Sequence, residues 1–249
     1  MSMDFRDKVA VVTGASGNLG RAVTEAFERA GARVVMVDRR GGGGAGGGPA
    51  ETASRFGLAA DLTDAASARA AGDAAFARWG RIDVLCNIAG GFAMGPPAHD
   101  TPDDAWRRMF ELNVMTAVHM SAGIVPRMIA AGQGAIVNVG AASSVRGQAG
   151  MAPYAVAKNG VVRLTESMAA ELRAYGICVT CILPTIVDTP QNRAAMPDAD
   201  PSQWTPPEVI AEVVLFLASD AAMITSGCAI PLAGRERQSS DDESSRTAP

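Results

Sequence analysis

The regular alternation of short apolar runs with longer amphipathic segments most constrains what this chain can fold into. Residues 8–13 (KVAVVT) read as a strand with few polar positions. Leu19, Val23, Phe27 and Ala30 then recur at helical spacing until Gly31 interrupts them. The same alternation predicts strands at 33–37, 57–60 (weakly), 82–88, 135–139, 177–183 and 228–233, and helices at 64–79, 103–131, 152–175 and 207–218. Pro126 is expected to kink the long 103–131 helix, and Pro206-Pro207 suits a helix start. Strands apolar on both faces and joined by helices belong to βαβ units, so the expected class is α/β: a doubly wound parallel sheet with helices on both faces. The alternation runs unbroken to residue 234. One domain over 1–234 is therefore expected, although 249 residues would allow two. The polar tail 235–249 lacks periodicity and is expected to be disordered.

Composition excludes several classes. With 48% hydrophobic and 19% charged residues the chain is not expected to be disordered. It shows no run of 18 or more apolar residues, so no membrane-spanning helix is expected, and the polar start, residues 1–8, does not read as a signal peptide. A net charge of −4 with no basic stripe argues against nucleic acid as a partner. Cys178 and Cys181 match C-x-x-C but lie in a strand-like run, where residues three apart face opposite sides. Cys86 and Cys228 form no second pair, and His99 and His119 have no ligand set around them. No metal site is expected, and a reduced, cytoplasmic compartment fits best. Seven of the 27 glycines fall in the 41–48 tract. With no strand and helix around it, that tract reads as a low-complexity insertion rather than a second phosphate cradle.

Residues 13–20 (TGASGNLG) join the first strand to the first helix. A turn there needs positive φ and close backbone approach, and the helix start beyond it offers free N–H groups to a pyrophosphate. Asp38 ends the second strand, 18 residues after Gly20. Together these point to a dinucleotide.

With these residues in view the sequence resembles the short-chain dehydrogenase/reductase family. Residues 13–20 look like its TGxxxGxG turn, with Asn18 for the middle glycine; asparagine tolerates left-handed conformations best among the other residues, so the turn is expected to survive. Residues 87–90 (NIAG) look like NNAG, residues 154–158 (YAVAK) are YxxxK, and residues 184–189 (PTIVDT) look like PGxxxT with Thr185 for glycine. The resemblance implies a seven-stranded parallel sheet of order 3-2-1-4-5-6-7. It implies cofactor contacts at Gly14, Ser16, Gly17, Asn18, Leu19, Gly20, Asp38, Arg39, Asp61, Leu62, Asn87, Ala89, Gly90, Tyr154, Lys158, Pro184, Val187 and Thr189. A carboxylate at Asp38 accepts from ribose hydroxyls and repels a 2′-phosphate, so NAD(H) is preferred; Arg39 and Arg40 keep NADP(H) open. Asp61 reads equally as a capping acid near Asp64.

Tyr154 and Lys158, four apart on a predicted helix, share a face. The ammonium is expected to lower the phenol from ~10 toward neutrality, so that Tyr154 exchanges a proton with a carbonyl or alcohol oxygen. Asn113 matches the family's helix asparagine, which kinks the helix and holds a water of the proton relay. The family's serine, thirteen residues before the tyrosine, is here Ala141. Three readings stay open: Ser143 or Ser144 replaces it; the substrate supplies its own polarisation, as in dihydropteridine-reductase-like members; or catalysis is lost and the chain only binds dinucleotide. Substrate contacts are expected at Ala141, Ser143, Gln148, Met151 and Trp204, with Phe92, Met94, Ile186 and Met196 as apolar and Arg146, Asn192 and Arg193 as polar candidates. The expected activity is hydride transfer between the nicotinamide and a small carbonyl or secondary alcohol. The expected partners are a small-molecule substrate and further copies of the chain in a dimer or tetramer, without nucleic acid or membrane.

Overall fold

The computed structural model describes residues 3–39 and 52–234. The glycine tract 41–48, Arg40 and the tail 235–249 lie outside them. Seven strands form one parallel sheet: β1 (Val9–Thr13), β2 (Arg33–Asp38), β3 (Arg55–Ala59), β4 (Val84–Asn87), β5 (Gly134–Val139), β6 (Ile177–Pro184) and β7 (Ala229–Leu232). Their order is β3-β2-β1-β4-β5-β6-β7, as the resemblance implied. The order reverses between β1 and β4, which opens a crevice at the carboxyl ends of those two strands.

Strand alternation divides the core. Ala10, Val12, Val34, Met36, Val84, Cys86, Ala135 and Val137 face one side, where they pack against helices α1 (Asn18–Arg29) and α7 (Pro207–Leu217). Val9, Val11, Val35, Val37, Leu85, Ile136 and Val179 face the other, against α2 (Ala65–Trp79), α4 (Thr116–Ala131) and α5 (Ala152–Leu172). Two-sided burial explains why the strands read as continuous apolar runs.

Pro126 lies within α4. α3 (Asp103–Phe110) passes into α4 through a π-helical turn, Glu111–Met115, where the extra residue per turn displaces the hydrogen-bond ladder. By length and composition the stretch Asp103–Ala131 is apolar enough to cross a membrane. Its Met120, Ile124 and Met128 are fully buried against the sheet, the pattern of a core helix.

Candidate active site

The crevice begins at the turn after β1. Gly14 has φ +64°, and a Cβ there would lie 2.9 Å from the Ala89 Cα; a Cβ on Gly20 would lie 2.2 Å from the Gly14 carbonyl oxygen. Only glycine lets α1 start this close to the ends of β1 and β4. The α1 N-cap, Gly17, makes no side-chain cap, and the first turn carries no acid, so its N–H groups are left for an external anion. Asn18 does not adopt the left-handed conformation expected of it. It is the first residue of α1, and its amide donates to Gln191 Oε1 at 2.7 Å. The turn survives because position 18 is helical and needs no special φ.

Asp38 lies beside this turn, its Oδ2 accepting from the Ser16 N–H at 3.1 Å. Asp61 is held below the usual carboxylate range first by the Thr63 hydroxyl and N–H, with the Arg39 charge adding a smaller contribution. Asp61 therefore forms a local turn before α2, and the cap of that helix is Asp64, which accepts from Ser67 N. Leu62 is buried in the core, and its carbonyl lies 2.9 Å from His119 Nδ1.

Thr13, in the motif but not among the expected contacts, anchors the next element. Its hydroxyl accepts from the N–H groups of Ile88 and Ala89, each at 3.0 Å, and donates to the Cys86 carbonyl at 3.3 Å. Asn87 ends β4 and is buried. Its amide donates to Asn138 Oδ1 at 2.9 Å, and Asn138 donates to Thr165 Oγ1 at 2.9 Å, joining β4, β5 and α5 through the core. The signal for this ladder was Asn138 itself, a polar residue inside the apolar run 135–139.

The NIAG segment then meets the catalytic candidates. Asn113, in the π turn, donates from Nδ2 to the Gly91 carbonyl at 2.9 Å and the Met109 carbonyl at 3.0 Å, and accepts from Gly91 N–H at 3.2 Å. Both amide hydrogens are thus engaged in positioning. A Cβ on Gly90 would lie 2.7 Å from Asn113 Oδ1 and 3.4 Å from Lys158 Nζ, so Gly90, Asn113 and Lys158 converge. Lys158, 5% exposed, donates to the Val139 carbonyl at 2.8 Å, and burial brings it down to about 8. Tyr154 goes the opposite way from the sequence expectation: burial pushes its phenol up to about 12. The lysine does not offset this, because its Nζ lies 5.9 Å from the ring centroid and is engaged at Val139.

Residues 8–200 match the family model described as short chain dehydrogenase. The chain belongs to the short chain dehydrogenase family. Among its relatives, cis-4-hydroxycyclohexanecarboxylate dehydrogenase of Sinomonas cyclohexanicum is 36% identical over 94% of this chain and 98% of that protein. An NAD-dependent glycerol dehydrogenase of Listeria innocua is 32% identical over 90% and 91%. The crystal structure of gox2181 superposes with a TM-score of 0.83 at 26% identity, over 93% of this chain and 96% of that one. As a short chain dehydrogenase the chain is an oxidoreductase of the CH–OH/C=O type, in a family that uses NAD(P)(H).

In this short chain dehydrogenase the loop after β5 carries Ala141. Ser144 Oγ donates to the Ala141 carbonyl at 2.6 Å and is buried. Ser143 Oγ is also buried and has no hydrogen-bond partner. On the opposite wall Thr189 caps α6 (Pro190–Ala195) by accepting from Asn192 N–H at 3.1 Å, while the Asn192 amide donates to the Val187 carbonyl at 2.8 Å. Arg193 is engaged with both oxygens of Asp188. Pro184 closes β6, buried. Met151 caps α5 and is half-buried, Gln148 is exposed, and Trp204 is buried at 6% exposure, within the packing rather than on an open wall.

Proposed function

We propose that this chain is an NAD(H)-preferring dehydrogenase of a small secondary alcohol, or reductase of the ketone, with Tyr154 as acid and base and without a catalytic serine. The observation that carries it is the junction at residues 89–90: the Gly14 turn closes on Ala89, and Asn113 and Lys158 close on Gly90. The dinucleotide cradle and the YxxxK helix thus meet at one strand end.

The cradle fits a dinucleotide. Gly14, Gly17 and Gly20 leave room for its pyrophosphate, the first N–H groups of α1 would bind the phosphates, and Asp38 would accept from the adenosine ribose. When bound, the cofactor supplies or accepts the hydride. Asp38 repels a 2′-phosphate, and the Arg39 charge acts on Asp61, which supports NAD(H) over NADP(H). Tyr154, protonated at neutral pH, is a proton donor to a ketone oxygen, and accepts the proton back when an alcohol is oxidised. Lys158 places a positive charge beside the site below about pH 8. Without a second donor at position 141 the oxygen is stabilised by Tyr154 alone. Loss of one such donor costs about 10²–10³ in rate, which slows an enzyme without abolishing it.

Lys158 is an expected dinucleotide contact as well, so the reading of catalysis over binding alone rests on Tyr154 as a proton-exchanging group. A buried ammonium with a displaced pKa is costly, and such costs concentrate at working sites. The test is a hydride-transfer screen over ketones and secondary alcohols with both cofactors. Turnover that survives Tyr154→Phe undiminished would contradict the mechanism. The exposed Val209 and Phe216 of α7 support a dimer or tetramer. Sedimentation equilibrium should give a multiple of the chain mass, and a monomer at micromolar concentration would contradict it.

A further inference from the structure

We infer that the part of the substrate that does not react is apolar, a cyclic or branched alkyl group rather than a polyol chain, and that Phe92 selects it. The inference rests on the alcohol dehydrogenase reading above and narrows it.

The Phe92 ring meets Tyr154 edge to face, with centroids 4.9 Å apart and an interplanar angle of 88°. One side of Phe92 thus touches the proton-exchanging residue, yet the side chain stays 59% exposed. Met94, two residues on, is 64% exposed. The backbone is anchored on both sides of them, Gly91 exchanging hydrogen bonds with the Asn113 amide. Gly95 N–H donates to the Gly150 carbonyl at 2.9 Å, and a Cβ on Gly150 would lie 3.5 Å from Met94 Cε. The 92–95 segment is therefore tied to the loop that leads into α5 and Tyr154. Single exposed apolar side chains are ordinary, but one held against a reactive residue, with a second beside the loop that leads into it, forms a binding surface.

Several of the polar groups expected near the site are held by their own neighbours, while Arg146 and Gln148 lie exposed on the loop and Ser143 Oγ is buried without a hydrogen-bond partner. Position 141 carries no hydroxyl, and Ser144 donates to a backbone carbonyl. The Asn192 amide and the Arg193 guanidinium are held by Val187 and Asp188. Against the Phe92 ring itself a polyol would give up water around each hydroxyl without gaining a partner, whereas an alkyl ring would gain contact. Contacts of this size discriminate by about 10–200-fold.

The experiment compares kcat/KM for cyclohexanol and glycerol with NAD⁺, using the full chain and its F92A and F92L variants. The inference expects the wild type to prefer cyclohexanol by about tenfold or more. F92A should lose about tenfold on cyclohexanol, chiefly through KM, and F92L should recover most of it. Preference for glycerol, or an equal loss on both alcohols in F92A and F92L, would overturn it. If the wild type turns over no secondary alcohol while still binding NAD⁺, the dehydrogenase reading itself fails. Turnover with the wrong preference removes only this inference.

Discussion

Lys158 is where burial, charge and chemistry conflict most openly. Its ammonium is nearly inaccessible and its only hydrogen-bond acceptor among the described residues is the neutral Val139 carbonyl, so burial lowers its pKa from 10.5 to about 8. A lysine whose folded pKa lies below the unfolded one weakens the fold while both states are charged. The fold regains that stability as pH rises from about 8 to 10.5, because there the unfolded chain binds the extra proton. Lys158→Met removes this dependence. The stability of the variant relative to the wild type should therefore fall by about 3 kcal/mol between pH 7 and pH 10.5, at 1.36 kcal/mol per pKa unit. Urea unfolding at several pH values measures it, and a constant difference would show that the lysine carries no buried charge. Tyr154, pushed up to about 12, titrates in both proteins and cancels in the comparison. Thr13 shows a quieter form of the same economy: one hydroxyl serves three backbone groups and fixes the strand end on which the site is built.

Among the elements, α2 and α4 approach most closely where Gly72 faces Gly123. A Cβ on Gly72 would stand 2.9 Å from the Gly123 carbonyl oxygen, a backbone atom that cannot rotate away. Gly72→Ala gains about 1 kcal/mol of helix propensity but must push α2 off α4. A net loss of about 1–2 kcal/mol is expected by denaturant unfolding, and a gain would mean that the helices part without cost. This contact was not visible in the sequence, because a glycine pair on two helices carries no periodic signal. The strands were legible for the opposite reason: burial on both faces writes them as continuous apolar runs, and all seven lie at or within a few residues of the expected places. The distortion at Asn113 was legible through the family resemblance, but its form, a π turn that lets the Asn113 amide reach the Gly91 carbonyl, was not. In the same way Asn87 was legible as a motif residue but not as one end of the Asn87–Asn138–Thr165 ladder, which depends on strand register. The direction of the Tyr154 shift was missed because spacing reports a shared helix face and not how deeply each group is buried.

At the scale of the molecule the sheet order puts the cradle, the NIAG strand end and the YxxxK helix around one crevice. A ligand that binds only the folded state stabilises it in proportion to the logarithm of its concentration over Kd. NAD⁺ at equal concentration should therefore raise Tm more than NADP⁺, and Asp38→Ser should narrow the gap. A larger shift with NADP⁺ would reverse the proposed preference. The measurement that tests the central claim most directly is the steady-state rate of Tyr154→Phe, with dinucleotide binding measured on the same sample. Tyr154 is proposed as the sole group exchanging a proton with the substrate oxygen, so kcat should fall by about 10²-fold or more while NAD⁺ affinity is retained. A variant that binds NAD⁺ and turns over at the wild-type rate would contradict that claim.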